Sequence, residues 1–208
     1  MTGSPIGNAT RREAKKAAIL EAAGCLIIER GFEGANLDAI CERAGCSKTS
    51  IYAYFGNKEG LLEALTEDIS LDLSKALHAL YMEELGVEES LRRYARLALR
   101  VILDEKHIAI VRATISAVWK YPHLGPAYYE MGAATAQSAL AQYLETQMLA
   151  GTLNISDSIE AAKEFQGRLL WDRMLAQIVG AHERPEDAEI ESSADAAVEN
   201  FLVRYRAV

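Results

Sequence analysis

Residues 45–59 read Gly45-Cys46-Ser47-Lys48-Thr49-Ser50-Ile51-Tyr52-Ala53-Tyr54-Phe55-Gly56-Asn57-Lys58-Glu59, and this stretch decides the fold. It opens on a glycine turn, because a residue without Cβ enters tight backbone at little steric cost. Ser47 is a favoured helix N-cap, and Ile51 and Phe55, four residues apart, share one face of the short helix that follows. Lys48, Thr49, Ser50, Tyr52 and Tyr54 are thereby left mostly outward.

Upstream, Leu37, Ile40, Cys41 and Ala44 repeat at helical spacing, with Asn36 as N-cap and Asp38 suited to the positive end of the helix dipole. A longer helix precedes it. Thr10 and Glu13 suit a capping box, so that helix is expected to begin near Arg11. Its stripe is Ile19, Ala22, Ala23, Leu26 and Ile27, with Gly31 as the stop after Arg30. Two short helices joined by a glycine-containing turn form the helix-turn-helix pattern, whose second helix lies in the DNA major groove. The residue types suit that docking. Hydroxyls reach base edges or phosphates, a tyrosine donates to a phosphate while its ring packs on sugar or a thymine methyl, and Lys48 pairs with a phosphate. Asn57 caps the next helix, placing Lys58 and free N–H groups where a phosphate could bind. Arg11, Arg12, Lys15 and Lys16 form a further basic cluster, read either as phosphate contacts or as a solvated helix end.

Residues 19–62 resemble the N-terminal domain of the TetR family of bacterial repressors. The matching elements are the first helical stripe, Gly31-Phe32, Ile40, Ala44-Gly45, the run Ser47 to Tyr52, Phe55, and Lys58-Glu59 followed by Leu62. Asn36 stands where many members carry Thr or Ser, and its amide can still cap and donate to a phosphate. Asp38 replaces a basic residue found in some members, and Tyr54 often corresponds to a histidine. The residues and the resemblance together assign DNA contact to Asn36, Lys48, Thr49, Ser50, Tyr52, Tyr54 and Lys58.

The remaining chain has almost no period-two alternation, and hydrophobic residues make up 50% of the whole 208-residue sequence, enough for a buried interior. Helical periodicity continues through about five more segments, broken at Gly86, Tyr121-Pro122, Gly151 to Asn154, and Glu183-Arg184-Pro185. The expected architecture is all-α. It comprises a flexible arm over residues 1–9, a DNA-binding domain over 10–57 and an effector and dimerisation domain over 58–208, joined by a long fourth helix from Lys58 to about Met82. Residues 1–58 carry eight Lys/Arg against six Asp/Glu, whereas 59–208 carry 14 against 24, so the acidic excess lies in the body. Screening over roughly 10 Å at ~0.1 M salt lets a basic head bind DNA beside an acidic body.

Cys25, Cys41 and Cys46 all lie in the head, an odd number without a four-ligand zinc set. Packing is their expected role, with a redox-responsive switch as an alternative. No apolar run reaches the ~18 residues of a membrane span, which predicts a soluble, cytoplasmic chain without membrane partners. His78, His107, His123 and His182 are scattered, with no metal spacing, nucleophile motif or phosphate loop, so neither an enzyme nor a cofactor is expected. A helical interaction module without DNA is the other alternative.

Residues 88–150 are similar, more loosely, to the effector domain of the AefR-type subgroup. That resemblance implies a ligand cavity in the bundle and homodimerisation through the last two helices. Arg112 shares a helical face with Ile108, Ile115 and Trp119. A guanidinium buried there would require Glu130, Asp172 or a polar effector as partner. Trp119, Tyr128, Tyr129 and Met131 complete the expected effector wall. Apolar residues over 162–178 cover more than one helical face, and residues 190–205 make another stripe. Phe165, Leu169, Ile178, Val198, Phe201, Leu202 and Tyr205 are the expected dimer residues. The function this predicts is a homodimeric repressor that binds a palindromic duplex operator and is released by a small-molecule effector.

Overall fold

The computed structural model describes residues 5–81 and 85–207, and the chain divides into two compact units. The first takes the chain through Thr66 together with Ala109–Tyr128; the second takes Glu67–Ile108 and the chain from Tyr129 onward.

In the first unit, α1 (Pro5–Gly34) buries Ile19, Ala22, Ala23, Leu26 and Ile27, the stripe expected from spacing. Gly31 does break the helical backbone, at φ 68° and ψ 178°, but one more turn follows through Gly34. A positive φ of this kind strains any residue with a Cβ, which explains the glycine. The start differs from expectation: helix runs from Pro5, so position 10 lies inside it. Pro5–Ala9 of the expected flexible arm belong to α1, and Met1–Ser4 lie outside the described residues. Next come α2 (Leu37–Ala44) and α3 (Lys48–Phe55). Arg43 of α2 grips Glu29 of α1 through two hydrogen bonds of 2.7 and 2.9 Å. This pairing lowers the Glu29 pKa and raises that of Arg43, in each case mainly through the mutual hydrogen bond.

The long α4 (Lys58–Tyr81) contributes Leu61, Leu62 and Leu65 to the first unit's buried residues and Leu73 to the second's. Met82, its expected end, lies outside the described residues. Farther along the chain, Tyr121 meets Phe32 edge-on in the first unit, with ring centroids 6.3 Å apart.

The second unit is built from α5 (Val87–Ile102), the start of α6 (Glu105–Ala117), a π-helical turn at Glu130–Ala134 after α7 (Leu124–Tyr129), α8 (Thr135–Leu149), α9 (Ser158–Ile178) and α10 (Asp187–Tyr205). The break between α5 and α6 contains neither Gly nor Pro. Asp104 makes it, accepting the Lys106 N–H through Oδ1 at 3.0 Å and the Ile108 N–H through its carbonyl at 3.0 Å. α8 packs on α9, and α5 packs on α10. Leu91, Leu99, Leu140, Leu144, Phe165 and Val198 belong to one shared core. Phe165 and Phe201 stack edge to face at 5.2 Å, a geometry worth about 0.5–1.5 kcal/mol beyond area burial. Gln166 donates to the buried Tyr94 hydroxyl, and burial raises the Tyr94 pKa. Across α5 and α10, Arg92 pairs with Asp195 at 3.3 Å, Arg96 pairs with Glu191, and Arg100 reaches Asp187 at 3.3 Å and Glu191 at 3.0 Å. The end of α10 is pinned where the Asn154 N–H donates to the Tyr205 carbonyl at 2.7 Å.

Candidate nucleic-acid interface

Local hydrogen bonds build the helix-turn-helix. Asn36 Oδ1 accepts the Ala39 N–H at 2.9 Å, starting α2. Gly45 ends it in left-handed backbone at φ 60° and ψ 40°, and the Cys46 N–H donates to the Cys41 carbonyl at 3.0 Å. Ser47 Oγ then accepts the Ser50 N–H at 3.3 Å and starts α3. Ile51 is fully buried and anchors α3, while Phe55 remains half-buried.

The outward set separates into exposed and half-buried groups. Thr49 and Tyr52 are exposed, Tyr52 by 53%. Lys48 is also exposed, with Nζ 2.8 Å from Asp38 Oδ1, and this hydrogen bond raises its pKa. Water and salt screen such an exposed pair, so a phosphate can displace Asp38. Ser50 is half-buried, and its hydroxyl lies 3.1 Å from that of Ser47, so it serves the α3 cap. Tyr54 is half-buried under the Arg12 guanidinium, 5.7 Å from the ring centroid. The basic cluster at Arg11 to Lys16 was visible in the sequence; its meeting with α3 was not.

Lys58 differs from expectation. Its Nζ donates to the Glu33 carbonyl at 3.3 Å and stands 4.4 Å from the Phe32 ring centroid, and burial lowers its pKa. Asn57 does cap α4, with Oδ1 accepting the Gly60 N–H at 2.7 Å. The ammonium is therefore engaged at the end of α1 instead of being presented beside that cap.

The expected effector residues are divided between the two units. Arg112, Trp119 and Tyr128 fall in the first unit, Tyr129 and Met131 in the second. Arg112 is exposed instead of buried on an apolar face. Trp119 is 93% exposed and Tyr129 51% exposed, whereas Tyr128 and Met131 are half-buried. Burial pushes the Tyr128 pKa up to about 12. A polar cleft of about 630 Å³ opens in the second unit among Asp172, Arg173, Gln177, His182, Arg184 and Glu186, away from the expected wall residues in sequence and lining.

The residues expected at a dimer interface lie mostly inside the second unit. Phe165, Leu169, Val198, Phe201 and Leu202 are buried within the chain itself, in the core of the second unit. Ile178 and Tyr205 are half-buried, and the Tyr205 hydroxyl donates to Glu164 Oε2 at 2.7 Å. Large apolar side chains exposed along these helices and at the α9 cap include Ile159, Trp171, Leu175, Val179 and Val203. Both stripes have helical spacing; only packing distinguishes them.

Fold and site together define a helical protein with a helix-turn-helix head. Residues 19–65 match the family described as bacterial regulatory proteins of the tetR family, and residues 89–207 match the AefR-like transcriptional repressor C-terminal domain. The chain belongs to the TetR family, a family of DNA-binding transcriptional regulators rather than enzymes. It is 28% identical to a TetR-family transcriptional regulator from Mesorhizobium loti MAFF303099, with a TM-score of 0.84 over 95% of this chain and 99% of that one. It is 32% identical to the flavonoid-responsive regulator FrrA, with a TM-score of 0.68 over 93% and 98% of the two chains. It is also 40% identical over 91 residues to the transcriptional regulator RutR of Escherichia coli strain K12, covering 44% of this chain but only 42% of RutR. Among the described residues, no helix is long and apolar enough to cross a membrane.

Proposed function

We propose that this chain is a homodimeric transcriptional repressor that binds a near-palindromic duplex through α3 and leaves it when a small-molecule effector binds the body. The observation that carries the reading is the recognition surface. Ile51 fixes α3 from below, and Lys48, Thr49 and Tyr52 remain accessible above it. Lys48 neutralises phosphate, Thr49 and Tyr52 supply groups for bases and backbone, and Arg12 with Tyr54 extends the surface. Asn36 donates to a phosphate at the start of α2, while Ser50 acts through the Ser47 cap.

Two copies of α3 would enter successive major grooves about 34–36 Å apart, which accounts for a palindrome. Trp171, Leu175, Val179 and Val203 are exposed apolar residues that could join two copies. Effector binding would act through α4, whose residues belong to both units. A coupling free energy of about 1–3 kcal/mol would lower operator affinity roughly 5- to 150-fold. FrrA, whose name describes response to a flavonoid, supports a small organic effector without identifying it.

Tyr52→Ala tests the surface. Duplex affinity should fall by about 1–3 kcal/mol with the thermal unfolding midpoint unchanged, measured by fluorescence anisotropy and calorimetry. Unchanged affinity would remove Tyr52 from the interface.

A further inference from the structure

The turn between α2 and α3 holds a feature that DNA recognition does not use. Its Schellman-type geometry brings the side chain three positions before the helix cap against the side chain two positions after it, a contact usually made by apolar residues. Here those residues are Cys41 and Cys46, both half-buried and both free thiols. The Cys46 N–H donates to the Cys41 carbonyl at 3.0 Å, and Gly45 between them is held at φ 60°. Backbone bond lengths then keep the two Cα atoms within roughly 7 Å, and disulfides span roughly 4.4–6.8 Å between Cα atoms. The thiols also interact directly: burial raises the Cys41 pKa, and the hydrogen bond and charge of Cys46 raise it further. Cys25 is placed differently, donating to Glu21 Oε1 at 3.7 Å.

We infer that Cys41 and Cys46 are a modification site, a dithiol that a low-molecular-weight disulfide oxidises to an intrachain bond across the helix-turn-helix turn, weakening DNA binding. One protein thiol loses its proton, and its thiolate attacks a sulfur of the small disulfide, releasing one small thiolate. The second protein thiolate attacks the resulting mixed disulfide and releases the other. The protein loses two electrons and two protons, and the small disulfide becomes two thiols. Cys46 immediately precedes the Ser47 cap. Drawing it toward Cys41 therefore displaces Ser47 and, with it, Lys48 and Thr49 at the start of α3.

The consequence for DNA rests on the function proposed above, whereas formation of the bond does not. The test incubates the full chain with oxidised glutathione, alkylates remaining thiols and maps peptides by mass spectrometry. The expected product has lost two hydrogens, carries alkylated Cys25 and contains a Cys41–Cys46 crosslink. Cys25→Ser should leave that product intact, and Cys41→Ser should leave Cys46 as a glutathione mixed disulfide. Separate alkylation or glutathionylation of Cys41 and Cys46 in the wild-type chain, or a bond to Cys25, would overturn the site. In the second measurement, oxidation should weaken binding to a selected duplex by roughly tenfold, within the usual range of allosteric coupling, and dithiothreitol should restore it. A mapped crosslink with unchanged affinity would overturn the coupling to DNA. Failure of the reduced chain to bind any duplex would count against the proposed function, and the peptide map would still decide the site.

Discussion

The head and the body bury apolar side chains by different means. In the head, α2 and α3 have eight residues each, and local caps at Asn36, Gly45 and Ser47 set where they start and stop. Each buries one side chain almost completely, Ile40 and Ile51, and both inward positions follow from the sequence. In the body, α9 runs for 21 residues and α10 for 19, with apolar residues on more than one face. There the neighbours decide what is core. A short helix with firm caps reveals its faces; a long helix with two apolar stripes does not.

The largest effect should come from Phe165, whose ring packs on Phe201 and lies near Tyr94. Phe165→Ala is expected to cost about 3–5 kcal/mol in urea unfolding, as truncation of a packed aromatic does. Trp171→Ala, at a side chain 62% exposed, should instead raise the dimer dissociation constant in sedimentation experiments. An expensive Trp171 and an inexpensive Phe165 at concentrations where the chain is monomeric would reverse the assignment of the two stripes.

The second break is made with acid. His107 is buried, and desolvation lowers its pKa from 6.5 to about 4. The unfolded chain therefore takes up a proton near pH 6.5 that the folded chain refuses until about pH 4. Its contribution to stability is retained above the unfolded pKa and falls as pH drops through this window. The loss between pH 7.5 and pH 5 should be about 2 kcal/mol by proton linkage. Subtracting the pH profile of His107→Gln from that of the wild type isolates it, whatever the variant's absolute stability; parallel profiles would show that His107 is not shielded.

In the head, Ser47→Ala should cost about 1 kcal/mol by removing the acceptor for the Ser50 N–H. If calorimetry shows no loss, the cap is not what starts α3. Smallest is Lys48→Ala, expected to reduce the slope of log affinity against log salt by about 0.9, one phosphate contact. An unchanged slope would leave Lys48 with Asp38 in the complex.

What was legible follows the same division. The α2 and α3 spans, their caps and the buried Ile51 could be read because each depends on residues within one turn. The wider start of α1 could not, since Pro5–Ala9 look like an arm by composition. The α5–α6 break was hidden because Asp104 makes it without Gly or Pro. Among the expected DNA contacts, Lys58 instead meets the Glu33 carbonyl and the Phe32 ring, 25 and 26 positions away, beyond the reach of local pattern. Arg112 fails for another reason: helical spacing gives it apolar neighbours, but its face is open to solvent.

Whether the head reads duplex DNA as a symmetric pair is decided by selection from a random duplex pool. The expected result is an enriched near-palindrome whose affinity falls steeply with salt and is largely lost when one half-site is scrambled. No enrichment, with equally weak binding to every duplex, would contradict it.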